Sequence, residues 1–312
     1  MQIHFLHKFV FYILTALFLS SCSKDVLLVD DFSLVNGEIT DSVLTINDKA
    51  KQWLYRLCSR DFQGRKTGTM GDGMARSYII DELETMGYEP YLQEFCTENG
   101  TLLANIIVNI KGESDSTIIL GAHYDGAKMS TKTVHYPAAE DNASGVVALL
   151  SFLKFYKDIH VNTQLSIVCC FWDSEEVFEG RAFRGSRHFI DQLDTKSYIL
   201  LYQNFDAIGH DHNGTVRMRY WDWKNDGRLV DALNRITANG RFQYIIEPTP
   251  SGGASDYATF NAVKIPFIAY HDHDATKPCS HPNHYEEDKP EFISIDKLLK
   301  IVDNTCEMIS TY

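Results

Sequence analysis

Two kinds of hydrophobic pattern take turns along this chain. In one, apolar residues recur at every third or fourth position, as on a helix face; in the other they run together or alternate, as in strands. Helical spacing covers Leu44 to Leu57 and Met74 to Met86, where Tyr78, Ile79, Leu83 and Met86 fall on one side. Strands and helices then alternate: strands at Leu103 to Ile110 and Ser116 to Leu120, a helix from Gly145 to Tyr156, a strand from Gln164 to Trp172, a helix near Ser186 to Leu193 and a strand from Tyr198 to Phe205. A hairpin-like piece from Thr215 to Trp221, a helix from Asp226 to Ala238, a strand from Phe242 to Ile246, a helix from Ser255 to Phe260, a strand from Ile265 to Tyr270 and a last helix from Ser294 to Ile309 complete the series. That order predicts an α/β fold, a mostly parallel central sheet flanked by helices on both faces. No internal repeat, low-complexity tract or proline-rich linker divides it, so one domain is expected over residues 42–312.

The beginning of the chain departs from this pattern. His4, His7 and Lys8 lead into an apolar run from Phe9 to Leu19, too short to span a bilayer and of a length that fits a signal-peptide core. Leu19-Ser20-Ser21-Cys22 resembles the lipobox of bacterial lipoproteins. The resemblance implies removal of residues 1–21, lipidation of the Cys22 thiol, export from a bacterial cytoplasm and anchoring at the cell envelope, on the periplasmic side or the cell surface. Residues 22–41, weakly patterned, then read as a tether to the membrane.

Composition narrows the classes of partner. The chain has 312 residues, 44% hydrophobic and 23% charged, enough for a substantial core. Its formal net charge is −13, and because the first 21 residues hold Lys8 and no acid, the part from Cys22 onward carries −14. Nucleic-acid binding needs a basic footprint, so no nucleic-acid partner is expected. Cys58, Cys96, Cys169, Cys170, Cys279 and Cys306 show no CxxC zinc framework. The glycine-rich segment Gln63 to Gly71 lacks the order of a phosphate loop and comes after no strand, which makes it a turn between helices.

In open α/β sheets, ligands sit beyond the carboxyl ends of the strands, so the residues just past each apolar run carry the chemistry. After Thr117 to Gly121 comes His123-Tyr124-Asp125; after Phe171 comes Glu175-Glu176; after Leu200-Leu201 comes Asp206. A late loop holds His271, His273, His281 and His284, and between the first two exits lies Glu140-Asp141-Asn142-Ala143-Ser144-Gly145, a cap for the next helix. Histidines and carboxylates, a set that suits zinc, thus stand at every strand exit expected to share one cleft.

These residues closely resemble the M28-type zinc exopeptidases, whose fingerprint is HxD, a DNASG-like turn, an EE pair followed by GSR, an Asp after a strand and a late His. Here the pieces are His123-Tyr124-Asp125, Asp141-Asn142-Ala143-Ser144-Gly145, Glu175-Glu176 with Gly185-Ser186-Arg187, Asp206 and His284. Gly64-Arg65 with Thr67-Gly68-Thr69, and Gly253-Ala254-Ser255-Asp256, extend the resemblance over residues 42 to 312. It implies a phosphorylase/hydrolase-like sandwich in which Asp141 bridges two zinc ions. His123 and Asp206 would complete one site and Glu176 and His284 the other, with Glu175 as general base. Asp125 would stand behind His123, hydrogen-bonding its imidazole and fixing its ligating tautomer. His284 is preferred among the late histidines because Asp288 lies four residues beyond it, as in the family, with His281 in reserve.

The implied activity is removal of N-terminal residues from peptides with a free N-terminus. Two departures qualify it. The family often has Tyr before the last His, and here position 283 is Asn, with Tyr285 as a substitute. The interval Val177 to Arg184 is longer than in compact aminopeptidases, and glutaminyl cyclases of the same fold also lengthen it. The alternative is therefore a single-zinc cyclase forming N-terminal pyroglutamate. The complete five-ligand set, and Phe178 and Phe183 where a cyclase would show Trp, favour the peptidase. A peptide-binding lipoprotein without chemistry is a third reading, against which the retained Glu175 stands. Tyr220-Trp221-Asp222-Trp223 is expected to pack on a sheet edge rather than to line a pocket.

Overall fold

Polar caps fix where the first helices begin. The Thr45 hydroxyl accepts from the Asp48 N–H while the Asp48 carboxylate accepts from the Thr45 N–H, a capping box that starts α1 (Ile46–Leu57). Thr69 caps α2 (Met70–Thr85), which therefore opens four residues before the helical spacing becomes visible. Between them a short 3-10 helix (Arg60–Phe62) and a glycine-rich loop replace the simple turn. In this computed structural model residues 45–159, 163–194, 196, 198–210, 214–251, 254–272 and 284–312 are described. The signal segment, the tether, Cys22, His273, His281 and Asn283 lie outside them. No described helix is long and apolar enough to cross a membrane.

Among the described residues eight strands form one sheet: β1 (Tyr91–Cys96), β2 (Leu102–Ile110), β3 (Thr117–His123), β4 (Ser166–Trp172), β5 (Ile199–Phe205), β6 (Thr215–Trp221), β7 (Gln243–Pro248) and β8 (Phe267–His271). Their order is β1-β2-β4-β3-β5-β8-β6-β7. Pairings β4–β3, β3–β5, β5–β8 and β6–β7 are parallel; β1–β2, β2–β4 and β8–β6 are antiparallel, so the sheet is mixed around a parallel centre. Two expectations need correcting. β1 is not visible in the hydrophobic pattern because Gln93 and Glu94 interrupt it and its side chains are largely exposed at the edge. The piece at 215–221 is one strand that pairs with distant β7 and β8, not a hairpin.

Strand alternation sorts side chains to two cores. Ile106, Val108, Ile118, Leu120, Ile167, Cys169, Leu201 and Ile268 face one side, covered by α1, α2, α3 (Ser144–Ile159), α5 (Arg228–Ala238) and α7 (Ile295–Thr311). Ile107, Ile119, Cys170, Trp172, Tyr202 and Phe267 face the other, covered by α4 (Arg184–Asp191) and α6 (Tyr257–Ala262). Each fully buried Leu, Ile or Phe contributes about 1.5 to 3 kcal/mol, so both layers are held chiefly by apolar burial. Gly121 is required where the second face is tightest: a Cβ there would lie 2.4 Å from both Trp172 Nε1 and the Tyr202 hydroxyl. Trp221 and Trp223 stack edge-on, and Trp223 Nε1 donates to Asn261 Oδ1 of α6 (2.8 Å), so this aromatic stretch packs beside α6 at the end of β6, a strand paired on both sides, and not on the sheet edge.

Candidate metal centre

Because β4, β3, β5 and β8 run parallel, their carboxyl ends meet at one edge, and the residues beyond those ends converge there. His123 ends β3, Glu175 and Glu176 come after β4, and Asp206 comes after β5. Asp141 comes from the turn that leads into α3, and His284 from the chain before α7. His123 Nε2 lies 3.2 Å from Asp141 Oδ1, 3.3 Å from Asp206 Oδ1 and 3.8 Å from Glu175 Oε2. His284 Nε2 lies 3.0 Å from Asp141 Oδ2 and 2.7 Å from Glu176 Oε1. The two Asp141 oxygens thus face different partners. Two triads result, His123–Glu175–Asp206 and Asp141–Glu176–His284, each with its donor atoms within 4.8 Å of one another. Glu175 therefore stands closer to the ligand set than its expected role as a separate base implies.

The supports of these side chains are as specific as the side chains themselves. Asp125 Oδ1 accepts from the Glu175 N–H (3.1 Å), and Oδ2 accepts from the Glu176 N–H (3.2 Å) and the Thr67 hydroxyl (2.8 Å). One buried carboxylate therefore clamps the acidic pair to the glycine-rich loop. The expected contact with His123 is divided: Nδ1 lies 3.2 Å from the Asp125 carbonyl oxygen and 3.4 Å from Oδ1. That anchors the Nδ1 side of the ring and turns Nε2 towards Asp141 and Asp206. Ser174, just before the pair, adopts a left-handed conformation (φ 57°), a strain of about 1 to 2 kcal/mol for a non-glycine residue. The Asp125 bonds to the next two N–H groups hold that turn.

Asp141 is fixed from both sides. Asp288 accepts from the Glu140 and Asp141 N–H groups (2.6 and 3.2 Å), and Asn142 Oδ1 accepts from the Gly145 N–H (3.0 Å) at the start of α3. Arg65, wholly buried, donates to the carbonyls of Leu57, Tyr124, Pro137 and Ala138. The segment expected to be a plain turn is thus a tie between α1, the exit of β3 and the approach to Asp141. The family resemblance marks Arg65 and Thr67; only the fold shows what they hold.

Four carboxylates against two imidazoles leave an excess of buried negative charge. Burial pushes Glu175 well above the usual carboxylate range, partly offset by His123, and pushes Glu176 up to about 6, with Asp141 adding to the rise. Hydrogen bonds that His284 donates to Asp141 and Glu176 raise it to about 10. Burial opposes ionisation of Asp141, yet its bonds with His123 and His284 outweigh that and hold it below the ordinary value. Protons balance this charge in the metal-free protein. Mixed nitrogen and oxygen donors in triads are what zinc takes, so the donor set fits that ion.

The sequence matches the model described as peptidase family M28 over residues 105–309. The chain belongs to peptidase family M28. A 50-residue stretch is 38% identical to leucine aminopeptidase 1 of Paracoccidioides brasiliensis (strain Pb03), covering 16% of this chain and 13% of that relative's length. Among solved structures, BSAP, a zinc aminopeptidase from Bacillus subtilis, superposes with a TM-score of 0.69 at 14% identity, over 84% of this chain and 94% of that one. A Bacteroides thetaiotaomicron glutaminyl cyclase bound to N-acetylhistamine gives 0.66 at 22% identity, over 84% and 97%. A leucine aminopeptidase precursor from the same organism gives 0.65 at 22%, over 88% and 99%. At these identities the likeness is one of fold.

In this M28 protein a cavity of about 310 Å³ opens onto Asp141, Glu175, Glu176, Asp206 and His284. Val177, Phe183, Tyr257 and Tyr270 give it apolar walls, and Arg219 and His271 polar ones. The long interval after Glu176 forms part of the rim. Phe178 and Arg181 exchange backbone hydrogen bonds across Glu179 and Gly180, both at positive φ, a two-residue primed turn. Arg184 donates to the Phe178 carbonyl, and Arg181 and Arg184 both pair with Glu98. Tyr285 is more than half exposed beneath Lys128 and is not among the pocket-lining residues. His271, expected from the sequence to be a loop residue, is the buried last residue of β8. Arg219 is a pocket residue that sequence reasoning did not single out, although the alternation Val216-Arg217-Met218-Arg219-Tyr220 signals a strand with a charged face.

Proposed function

We propose that this M28 enzyme is a two-zinc aminopeptidase. His123, Asp141 and Asp206 would hold one ion, and Asp141, Glu176 and His284 the other. The observation that carries this reading is Asp141, whose two carboxylate oxygens face His123 on one side and His284 on the other. Zinc, when bound, lowers the pKa of an attacking water and polarises the scissile carbonyl. Glu175, buried and not needed to complete either set, takes the proton from that water and passes it to the departing amine. Burial raises its pKa, which strengthens it as the acceptor of that proton. Asp125 keeps Glu175 and Glu176 in fixed relation, so that the shuttle and the ligand stay apart. The cavity beside the pair takes the N-terminal residue of a peptide.

A single-zinc glutaminyl cyclase is the second reading, favoured by the likeness in fold to the Bacteroides thetaiotaomicron cyclase. We further propose that residues 1–21 are removed, that Cys22 is lipidated and that residues 22–41 tether the domain at 42–312 to the cell envelope. Incubating the chain from Ser23 onward, with zinc, against peptides beginning in Gln or Leu separates the activities by mass. Loss of a residue supports the peptidase, loss of ammonia from the Gln peptide alone supports the cyclase, and unchanged peptides exclude both. Mass spectrometry of the Cys22-containing fragment from the full-length protein tests the anchor.

A further inference from the structure

The wall of the cavity opposite the acidic triads carries a cation for which the hydrolytic roles have no use. Across β5, β8, β6 and β7 the register aligns Asn204, Ala269, Arg219 and Glu247, so these four side chains lie in one row on the same face. Neighbouring strands stand about 4.8 Å apart, which sets Arg219 two strands, about 10 Å, from Asn204 in the strand that leads to Asp206. Ala269 between them has no side chain beyond Cβ, and all three residues line the cavity.

Arg219 is anchored but not saturated. Its Nε donates to Glu247 Oε2 (3.2 Å), and its terminal nitrogens make no hydrogen bond among the described residues. Glu247 is shared with Arg217, 3.2 Å away on its other oxygen. His271, two positions along β8 from Ala269 and 7% exposed, also lines the cavity. Neither of its ring nitrogens is hydrogen-bonded among the described residues, and Glu247 Oε2 stands 3.6 Å from Nε2. A guanidinium held by one edge, with its two terminal NH₂ groups unused beside a buried imidazole whose Nε2 faces Glu247, is a geometry that receives a carboxylate on the guanidinium.

We propose that Arg219 and His271 form a subsite for a substrate carboxylate, making Arg219 a specificity-determining residue. This rests on the aminopeptidase reading. The group is either the side chain of an N-terminal Asp or Glu, its methylenes against the apolar walls, or the C-terminus of a dipeptide.

Calorimetry on zinc-loaded protein carrying Glu175→Gln, in which turnover of these amides is suppressed, tests the subsite, using two acid–amide pairs: glutamic acid α-amide against glutamine α-amide, and glycylglycine against its amide. One acid should bind roughly 10- to 100-fold tighter than its partner, the range of a charged hydrogen-bonded contact, and the pair that shows it identifies the source. Arg219→Gln should abolish that ratio. If neither acid is preferred, or the preference survives in Arg219→Gln, the subsite is wrong. Should Arg219→Gln fail to fold, the ratio in Arg219→Lys decides: lowered, because Lys lacks the fork, it supports the subsite, and unchanged it overturns it. Cleavage of Leu- and Glu-initiated peptides by the protein with Glu175 intact is followed in parallel. An Arg219-dependent acid preference without cleavage refutes the aminopeptidase and keeps the subsite, whereas cleavage with no acid preference in either pair does the reverse.

Discussion

The two faces of the sheet obey the same alternation and are built for opposite ends. On the face under α1, α3 and α7, strand side chains are almost all apolar, with buried Gln203, which accepts from the Tyr270 hydroxyl, as a polar exception. On the face under α4 and α6 the same strands carry Asn105, Gly121, His123, Asn204 and Arg219 among the apolar residues, and these cluster towards the edge where the parallel strands end. Buried polar groups are tolerated there because they satisfy one another: Trp172 Nε1 donates to the Tyr202 hydroxyl, that hydroxyl to Asn204 Oδ1, and Asn204 Nδ2 to the Ser255 hydroxyl. One face supplies stability through area, and the other gives up part of its area to fixed chemistry.

Perturbing each face should therefore give separable losses. The largest effect is expected from Glu175→Gln, which should lower turnover roughly 10²- to 10⁴-fold while zinc content, measured by elemental analysis, stays at the wild-type level. Near-normal turnover in that variant would refute the proton-shuttle role. Leu54→Ala, wholly buried on the aliphatic face, should lower unfolding free energy by about 2 to 5 kcal/mol in urea titration and leave kcat/KM of the folded fraction unchanged. A kinetic defect without a stability defect would contradict the division of the two faces.

Asp125→Asn comes next. It keeps the size of the clamp but cannot accept from three donors at once, so zinc affinity or kcat/KM should drop roughly 10- to 100-fold with little change in the apolar core. Thr67→Val removes one of the same bonds and should show a smaller loss in the same direction; a loss larger than that of Asp125→Asn would put the clamp elsewhere.

The mildest test is pH on the metal-free protein. Burial raises Asp173 and Asp256 from 3.8 to about 7 in the folded state, with Asp125 adding to the rise of Asp173. A carboxyl that holds its proton more tightly folded than unfolded contributes stability below its unfolded pKa and loses it as pH climbs through the folded one. The urea midpoint should fall between about pH 4 and about pH 7, and added zinc should raise it most at the upper end. A midpoint that rises across this interval without metal would contradict the assigned shifts.

Much of the site was legible because strand exits are legible. Each apolar run ended within a few residues of its His or acid, and the separate motifs Asp141 to Gly145, Glu175-Glu176 and Asp206 could be matched to a family by order and spacing. Less visible were residues whose meaning depends on a partner far along the chain. Asp288 serves in the sequence only as a spacing mark for His284, and what it does shows once its oxygens are seen on the N–H groups of Glu140 and Asp141. Arg219 reads as a strand arginine until β6 is laid beside β8, because only then does Ala269 open the space that Arg219 closes.

By itself, the sequence determined the alternation of strands and helices, the acidity of the chain and the identity of the groups at the strand exits, since these depend on residue type and near spacing. Tertiary structure decided the strand order with its antiparallel flanks, the edge strand β1, the clamp of Asp125 on the Glu175–Glu176 pair and the cationic wall of the cavity. The reason is the same in each case. A hydrogen-bond register or a cross-strand neighbour is set by how distant segments pack, and pattern within a segment says which side a residue faces but not what it meets there.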